Sequence, residues 1–409
     1  MNNIKIIDSP MGFGKTSYLI QMINKSNKDD KYIFITPFLD EVARIEESCK
    51  GKKFYQPTHK AKNGSKLESL KKLVSQGKNI VSTHALFSLA DEELTTLIKS
   101  QGYTLILDEV MNVVEQIDVK KSDIEMLIAC EKIRVEEEPF NKVVWVDEEY
   151  KGEFNHIKTM AQNDSLYFVS ETLMVWTLPV SAFESFECVY ISTYMFNSQI
   201  QKYYYDYFGL KYEYYHVKCI EGNYLIVKTT NSDYDIGFKQ KAKSLITIVD
   251  NTKLNAVGDY TKKSKGALSK TWYIENKDKD ILKQLNKNIT NFFRRYCSDK
   301  SELNMWTTFK DFQSKLKGKG YTKGFIPCTS RATNQYSHKE NCAYCCNRYL
   351  NPFYIHFFAK RDIEINQDEY ALSEMLQWIW RSAIRNGKPI TLYIPSQRMR
   401  ELLIKFLST

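Results

Sequence analysis

The residues best suited to chemistry come early, in the run Ser9-Pro10-Met11-Gly12-Phe13-Gly14-Lys15-Thr16-Ser17. An apolar stretch over 4–7 precedes it and a helical pattern follows. A glycine-rich turn between a strand and a helix can wrap its backbone N–H groups around phosphate oxygens, at a helix N-terminus that already favours anions. In the GxxxxGK[ST] arrangement the lysine reaches the β- and γ-phosphates and the hydroxyl ligates Mg²⁺. Here those roles fall to Lys15 and Thr16, with Ser9 through Ser17 as the cradle, and Ser9 stands where the general pattern has its first glycine. ATP and Mg²⁺ are therefore the expected cofactors.

A second constellation follows the apolar run Leu105-Ile106-Leu107, where Asp108 and Glu109 stand at the end of an expected buried strand. Two adjacent carboxylates there can divide the work of phosphoryl transfer. Asp108 would hold Mg²⁺, and Glu109 would orient and deprotonate the attacking water.

These groups meet only if the elements beneath them align. Strands are expected over 4–7, 32–35, 79–82, 104–107 and 188–191, with helical patterns over 17–24, 39–48 and 67–75 between them. Strands spaced by helices argue for α/β architecture with a doubly wound parallel sheet. The second half repeats the alternation. Strands are expected over 224–228, 245–249, 304–307, 324–327 and 391–394, and helices over 280–296, 309–316 and 369–385. Two domains follow: 1–218 carrying the phosphate loop and 219–409.

The motifs together resemble those of superfamily 2 helicases of the DEAD/DEAH type, most of all phage-encoded ones. Ser9–Thr16 is similar to motif I and Asp108-Glu109-Val110-Met111 to motif II. Thr36-Pro37 resembles motif Ia, and Thr83-His84 the segment ahead of motif II. The resemblance implies that these four residues contact nucleic acid. Ile191-Ser192-Thr193-Tyr194 resembles motif III, so Ser192 and Thr193 are expected to couple the ATP site to the strand-binding groove. Residues 304–309 resemble motif IV, and Cys328-Thr329-Ser330-Arg331-Ala332-Thr333-Asn334 a divergent motif V. Gln377 with Arg381 and Arg385 resembles motif VI. Four residues apart on a helix, the two arginines would share one face. An arginine that neutralises the transferring phosphoryl group is worth about 10³–10⁵ in rate.

The resemblance implies two RecA-like domains with motifs IV to VI in the second. The gap from Asp108 to Ser192 is longer than that family's, so 130–185 is expected to be an insertion. Its implied activity is ATP-dependent helicase or translocase action, on single-stranded or branched DNA, in phage replication, recombination or repair. Two alternatives stay open. A packaging motor with a nuclease half would need clustered acids, for which Asp362, Glu364, Asp368 and Glu369 are the candidates. A scaffold that binds ATP without hydrolysing it is the other.

Composition sets outer bounds. The 409 residues suffice for two domains, and 58 Lys+Arg against 49 Asp+Glu permit a polyanionic partner without requiring one. Lysines crowd residues 50–78, including Lys60, Lys62 and Lys66, and again Lys262, Lys263, Lys265 and Lys270 beside Trp272. Such clusters give salt-sensitive, sequence-independent binding when they meet phosphates. No apolar run approaches a membrane span. No signal segment is evident and nine cysteines are an odd number, so a cytoplasmic protein with reduced thiols is expected, in the host cytoplasm if phage-encoded. Cys342, Cys345 and Cys346, with Cys328 and His338, lack a clear second zinc-ligand pair, and a helix over 341–350 with buried thiols is expected instead.

Overall fold

The computed structural model describes residues 3–59, 65–138, 140–170, 173–229, 232–261, 265–297, 300–329 and 335–409. The latter part of the motif V segment, 330–334, and Lys60, Lys62, Lys262 and Lys263 lie outside them. The chain forms two compact units. The first comprises Met1–Ser9, Phe13–Lys228 and Asn351–Ile365, and the second Pro10–Gly12, Thr229–Leu350 and Asn366–Thr409.

In the first unit β1 (Asn3–Asp8), β2 (Lys31–Thr36), β3 (Phe54–Tyr55), β4 (Asn79–Thr83) and β5 (Tyr103–Asp108) enter one sheet. The chain then leaves it to build a five-stranded antiparallel sheet from β6 (Val114–Gln116), β7 (Ile133–Glu136), β8 (Lys142–Trp145), β9 (Leu166–Ser170) and β10 (Leu173–Thr177). It returns as β11 (Cys188–Thr193), β12 (Tyr212–Ile220) and β13 (Asn223–Lys228). The large sheet has the order β13-β12-β1-β11-β5-β2-β4-β3, parallel except for β13.

Parallel sheets covered by helices on both faces need strands apolar on both faces. Ile6, Ile7, Phe34, Ile35, Leu105, Ile106 and Leu107 are all fully buried. The register pairs Asp8 with Thr193, Ser192 with Asp108, and Thr36 with Thr83. The motif residues therefore share one edge, at the carboxyl ends of the strands, where open α/β sheets bind ligands.

Three expectations change in this unit. The boundary at 218 falls inside β12, which pairs with β1 and β13, so the β12–β13 hairpin belongs to the first sheet. The insertion spans β6 to β10, from Val114 rather than 130, and has its own core around Ile124, Leu127, Val143, Ile157 and Met174. The third concerns Asn351–Ile365, which belongs to this unit although it lies far along the chain. Its helix Pro352–Ala359 stacks Phe357 on Tyr207 at 4.5 Å, and Tyr354 donates to the Val114 carbonyl at 3.1 Å. The tyrosines of Ile200–Tyr207 are buried, with Tyr204 and Tyr205 fully enclosed, so that stretch is packing.

The second unit has a four-stranded parallel sheet made of β14 (Ile246–Ile248), β15 (Asn304–Thr307), β16 (Asn341–Tyr344) and β17 (Ile390–Tyr393), in the order β14-β17-β16-β15. Helix Asp280–Arg295 buries Leu282, Leu285, Ile289, Phe292 and Phe293 against Trp306 and Tyr393. The helix expected over 341–350 is instead β16, held between two parallel neighbours. Cys342, Cys345 and Cys346 are buried free thiols, and among the described residues no group of three or more His, Cys, Asp or Glu could hold a metal ion. The strand expected over 324–327 reduces to a single bridge between Trp306 and Phe325.

Candidate nucleotide-binding site

The phosphate loop turns between β1 and helix Lys15–Lys25. Gly12 and Gly14 both sit at φ 84, the left-handed region open to glycine at no cost. Gly14 has a second reason to be glycine, because a Cβ there would stand 2.1 Å from Cε1 of Tyr224 on β13. The Lys15 ammonium donates to the Ser9 carbonyl at 2.6 Å. Ser9 is itself fixed: its N–H donates to the Thr193 carbonyl at 3.0 Å, and its Oγ accepts from the Val217 N–H at 2.8 Å. The residue that replaces the first glycine of the general pattern thus ties the loop to both strands flanking β1.

Thr16 and Asp108, separated by 92 positions, come together. The Thr16 hydroxyl lies 3.1 Å from each carboxylate oxygen of Asp108. Burial lifts the Asp108 carboxyl above the ordinary carboxylate value, against the opposing pull of Thr16, Arg44 and Lys15. A hydroxyl and a largely enclosed carboxylate converging at the loop are the hard oxygen donors that Mg²⁺ accepts when phosphate oxygens and water complete its shell.

Glu109 adopts φ 91, unusual for a residue with a side chain. Its N–H donates to the Ser192 carbonyl at 2.9 Å, and its Oε2 accepts from the Thr193 hydroxyl at 3.4 Å. Backbone strain of this kind costs about 1–3 kcal/mol and persists where the surroundings over-determine it. Here Ser192 and Thr193 both hold Glu109.

Sequence reasoning missed two charged residues in this cluster. Asp8 is buried, and its two oxygens accept the Met195 and Phe196 N–H groups at 2.8 and 2.9 Å, fixing the turn after Thr193. Its only signal was an acid ending an apolar strand. Arg44 of helix Leu39–Ser48 lies 3.9 Å from Asp108 and pairs with Glu41 at 2.5 Å. Tyr224 was equally unforeseen, since nothing local to it foretells Gly14.

The expected nucleic-acid contacts divide. Thr36 is fully buried and its hydroxyl donates to the Phe38 carbonyl at 2.9 Å, so it shapes the turn carrying Pro37. Thr83 ends β4 and His84 begins a short helix, both half-buried at the same sheet edge.

Gln377, Arg381 and Arg385 lie in the second unit, and the helix expected over 369–385 is not continuous. Helix Gln367–Ile379 holds Gln377 and stops. Ser382 is extended, the Ala383 N–H donates to the Lys339 carbonyl at 2.7 Å, and a 3₁₀ turn Ala383–Asn386 follows. Arg381 and Arg385 therefore do not share a helical face: Arg381 is buried, whereas Arg385 is exposed. Trp380 packs on Phe238 at 4.6 Å between ring centroids. Of the acids considered for a nuclease, Asp368 binds Arg398 at 2.6 Å, and Asp368 and Glu369 donate their backbone N–H groups to the Asn366 cap. An acidic first turn on a capped helix accounts for them.

Against known proteins, residues 240–407 match the family described as the YonV C-terminal Rossmann-like domain, and residues 114–176 the YonV middle domain. The chain is 44% identical over 417 residues to the SPbeta prophage-derived uncharacterized protein YonV of Bacillus subtilis (strain 168), covering 100% of this chain and 99% of that one. Among solved structures, an XPD structure in its apo form aligns with a TM-score of 0.51 and 12% identity, over 99% of this chain and 95% of that chain. A second, described as XPD helicase, aligns with a TM-score of 0.44 and 12% identity, over 100% and 95%. The first of these likenesses is one of fold.

Proposed function

The chain belongs to the YonV family, and we propose that it is an ATP-hydrolysing motor of the superfamily 2 type acting on nucleic acid, with DNA of a phage genome as its substrate. One observation carries the reading: the Thr16 hydroxyl meets both oxygens of Asp108 beside a glycine-rich loop, with Glu109 clamped next to them. A resting scaffold has no use for a strained, doubly gripped glutamate beside such a pair.

In this reading the loop's N–H groups and Lys15 hold the β- and γ-phosphates of ATP. Thr16 and Asp108 would hold Mg²⁺, which when bound neutralises charge on the phosphates. The Glu109 carboxylate orients a water and accepts its proton as the water oxygen bonds to the γ-phosphorus. The bond from that phosphorus to the bridging oxygen breaks, leaving ADP and phosphate. Ser192 and Thr193 keep Glu109 aimed and tie its position to the sheet edge carrying Thr83 and His84. The resemblance to motif VI makes Gln377, Arg381 and Arg385 the candidates for charge neutralisation during turnover, and of the two arginines Arg385 has the exposed side chain.

The test is ATPase rate with single-stranded DNA, duplex, branched DNA and RNA, each at two salt concentrations. Stimulation by a nucleic acid that weakens with salt is expected, and Lys15→Ala should abolish turnover. Full turnover by the Lys15 variant refutes the assignment. Turnover indifferent to every nucleic acid refutes the motor.

A further inference from the structure

Within the first unit, the edge of the parallel sheet and the inserted antiparallel sheet enclose a cleft of about 840 Å³. One wall is Thr83 with the turn that carries Leu86 and Leu89; the other is Trp176 of β10 with His156 and Met160 of helix Asn155–Gln162. Ser65 and Lys66 stand at its rim. We propose that this cleft binds single-stranded nucleic acid, with one unpaired base stacked on the indole of Trp176. The proposal rests on the motor reading and says where the strand lies.

Location comes first. Thr83 is the last residue of β4, so the cleft opens at the carboxyl edge of the sheet. Its chemistry fits a base better than a wholly charged ligand. The lining is mostly apolar, and Trp176 is half-buried, which leaves part of the ring open to a partner. Stacking on an aromatic ring suits any base, because every base has a π-face. The volume lies within the roughly 300–1,000 Å³ that small-molecule sites span, room for a base with its sugar.

Charge agrees. Lys66 belongs to the lysine-rich stretch 50–78, which the nucleotide site leaves unused. The acid in the lining, Asp91, caps helix Glu92–Gln101 through the Leu94 N–H and shares Lys71 with Glu68 and Glu93, so its charge is offset in part rather than left bare. His59 and His156 add imidazoles at the exposed mouth.

The cleft is also wired to chemistry. The chain leaving Glu109 runs through the buried Val113 into β6, and β6 pairs with β10, placing Glu115 opposite Trp176. Only one strand pairing separates the stacking ring from the segment that follows the catalytic carboxylate. A base on Trp176 should therefore raise ATP turnover as well as hold the strand.

The experiment measures binding of dye-labelled oligo(dT) and oligo(rU) to the full chain by anisotropy, alongside ATPase with and without each. Trp176→Ala should weaken binding about 5- to 150-fold, the loss of one stacked base. Stimulation of ATPase by the oligonucleotides should fall in parallel, and Trp176→Phe should keep most of the affinity and of the stimulation. Lys66→Gln should lower the dependence of log affinity on log salt by about one. The dT and rU arms decide between DNA and RNA as the strand's source. Unchanged affinity in Trp176→Ala, with oligonucleotide-stimulated ATPase intact, overturns the cleft and leaves the motor standing. A wild-type chain that binds neither oligonucleotide overturns both.

Discussion

The contact between Gly14 and Tyr224 allows a stability cycle to be worked out before it is measured. Gly14 is left-handed at φ 84 and ψ 24, and an added Cβ would lie 2.1 Å from Cε1, 2.8 Å from Cδ1 and 3.0 Å from Cζ of the ring. Gly14→Ala then incurs two separate costs. Left-handed backbone costs an L-residue about 1–2 kcal/mol. Forcing the ring aside is overpacking, about 1–3 kcal/mol. The total is about 2–5 kcal/mol, or about 4–20 °C in Tm at about 2–4 °C per kcal/mol for a unit of this size. Tyr224→Ala alone removes a half-buried ring and should cost about 1–2 kcal/mol, below the range for a fully buried aromatic. Its main-chain links to Gln21 survive the change. In the double variant the backbone cost remains and the clash vanishes, so the two losses should fall short of additivity by about 1–3 kcal/mol. Thermal unfolding of wild type, both single variants and the double closes the cycle. Additivity within about 0.5 kcal/mol refutes the proposition that the β13 ring packs on the phosphate loop.

Other perturbations probe the rest of the cluster. Asp8→Ala strips one buried and one partly buried N–H group of their acceptor and should cost about 2–4 kcal/mol, with kcat for ATP falling more than KM rises; an unaffected kcat counts against its hold on the Thr193 turn. Because burial raises the Asp108 pKa, the folded state binds the proton more tightly than the unfolded chain. That contribution to stability is complete below the unfolded value and is lost as pH rises through the folded one. Asp108→Asn should accordingly abolish turnover yet raise the Tm of nucleotide- and metal-free protein, by more at pH 7 than below the ordinary carboxylate value, and a lowered Tm at pH 7 contradicts the sign. Arg385→Ala should leave nucleotide affinity within a few-fold and slow hydrolysis by about 10³ or more, whereas equal loss in affinity and rate refutes a role confined to turnover.

Much of the loop and carboxylate cluster was legible because its signals are local. A strand, a glycine turn, a lysine with a hydroxyl and a second strand ending in two acids are each read from a few consecutive residues. Their meeting at one edge follows from parallel strands alone. Tyr224, Asp8 and Arg44 were not legible, because each acquires its role from a partner distant in sequence. β16 was misread for a related reason. Asn341-Cys342-Ala343-Tyr344 lacks β-branched residues, and its strand conformation comes from neighbours on both sides rather than from propensity. The run 369–385 failed in the opposite direction. Its apolar spacing stays helical past Ile379, yet the Ala383 N–H turns to the Lys339 carbonyl and ends the helix, a tertiary choice that periodicity does not register.

The same logic explains how the fold carries a whole antiparallel sheet inside its first unit. β5 and β11 are parallel neighbours, so a long crossover must join them in any case. In this chain the crossover contains β6 to β10, while the register from Cys188 opposite Thr104 to Ser192 opposite Asp108 stays unbroken. The inserted sheet therefore adds surface at the carboxyl edge of the parallel sheet without displacing Asp108, Glu109 or Thr193. It also starts within a few residues of Glu109, so in the proposed motor a shift of that sheet would reach first the carboxylate proposed to aim the water. An insertion at a solvent loop elsewhere would have gained the surface without that leverage.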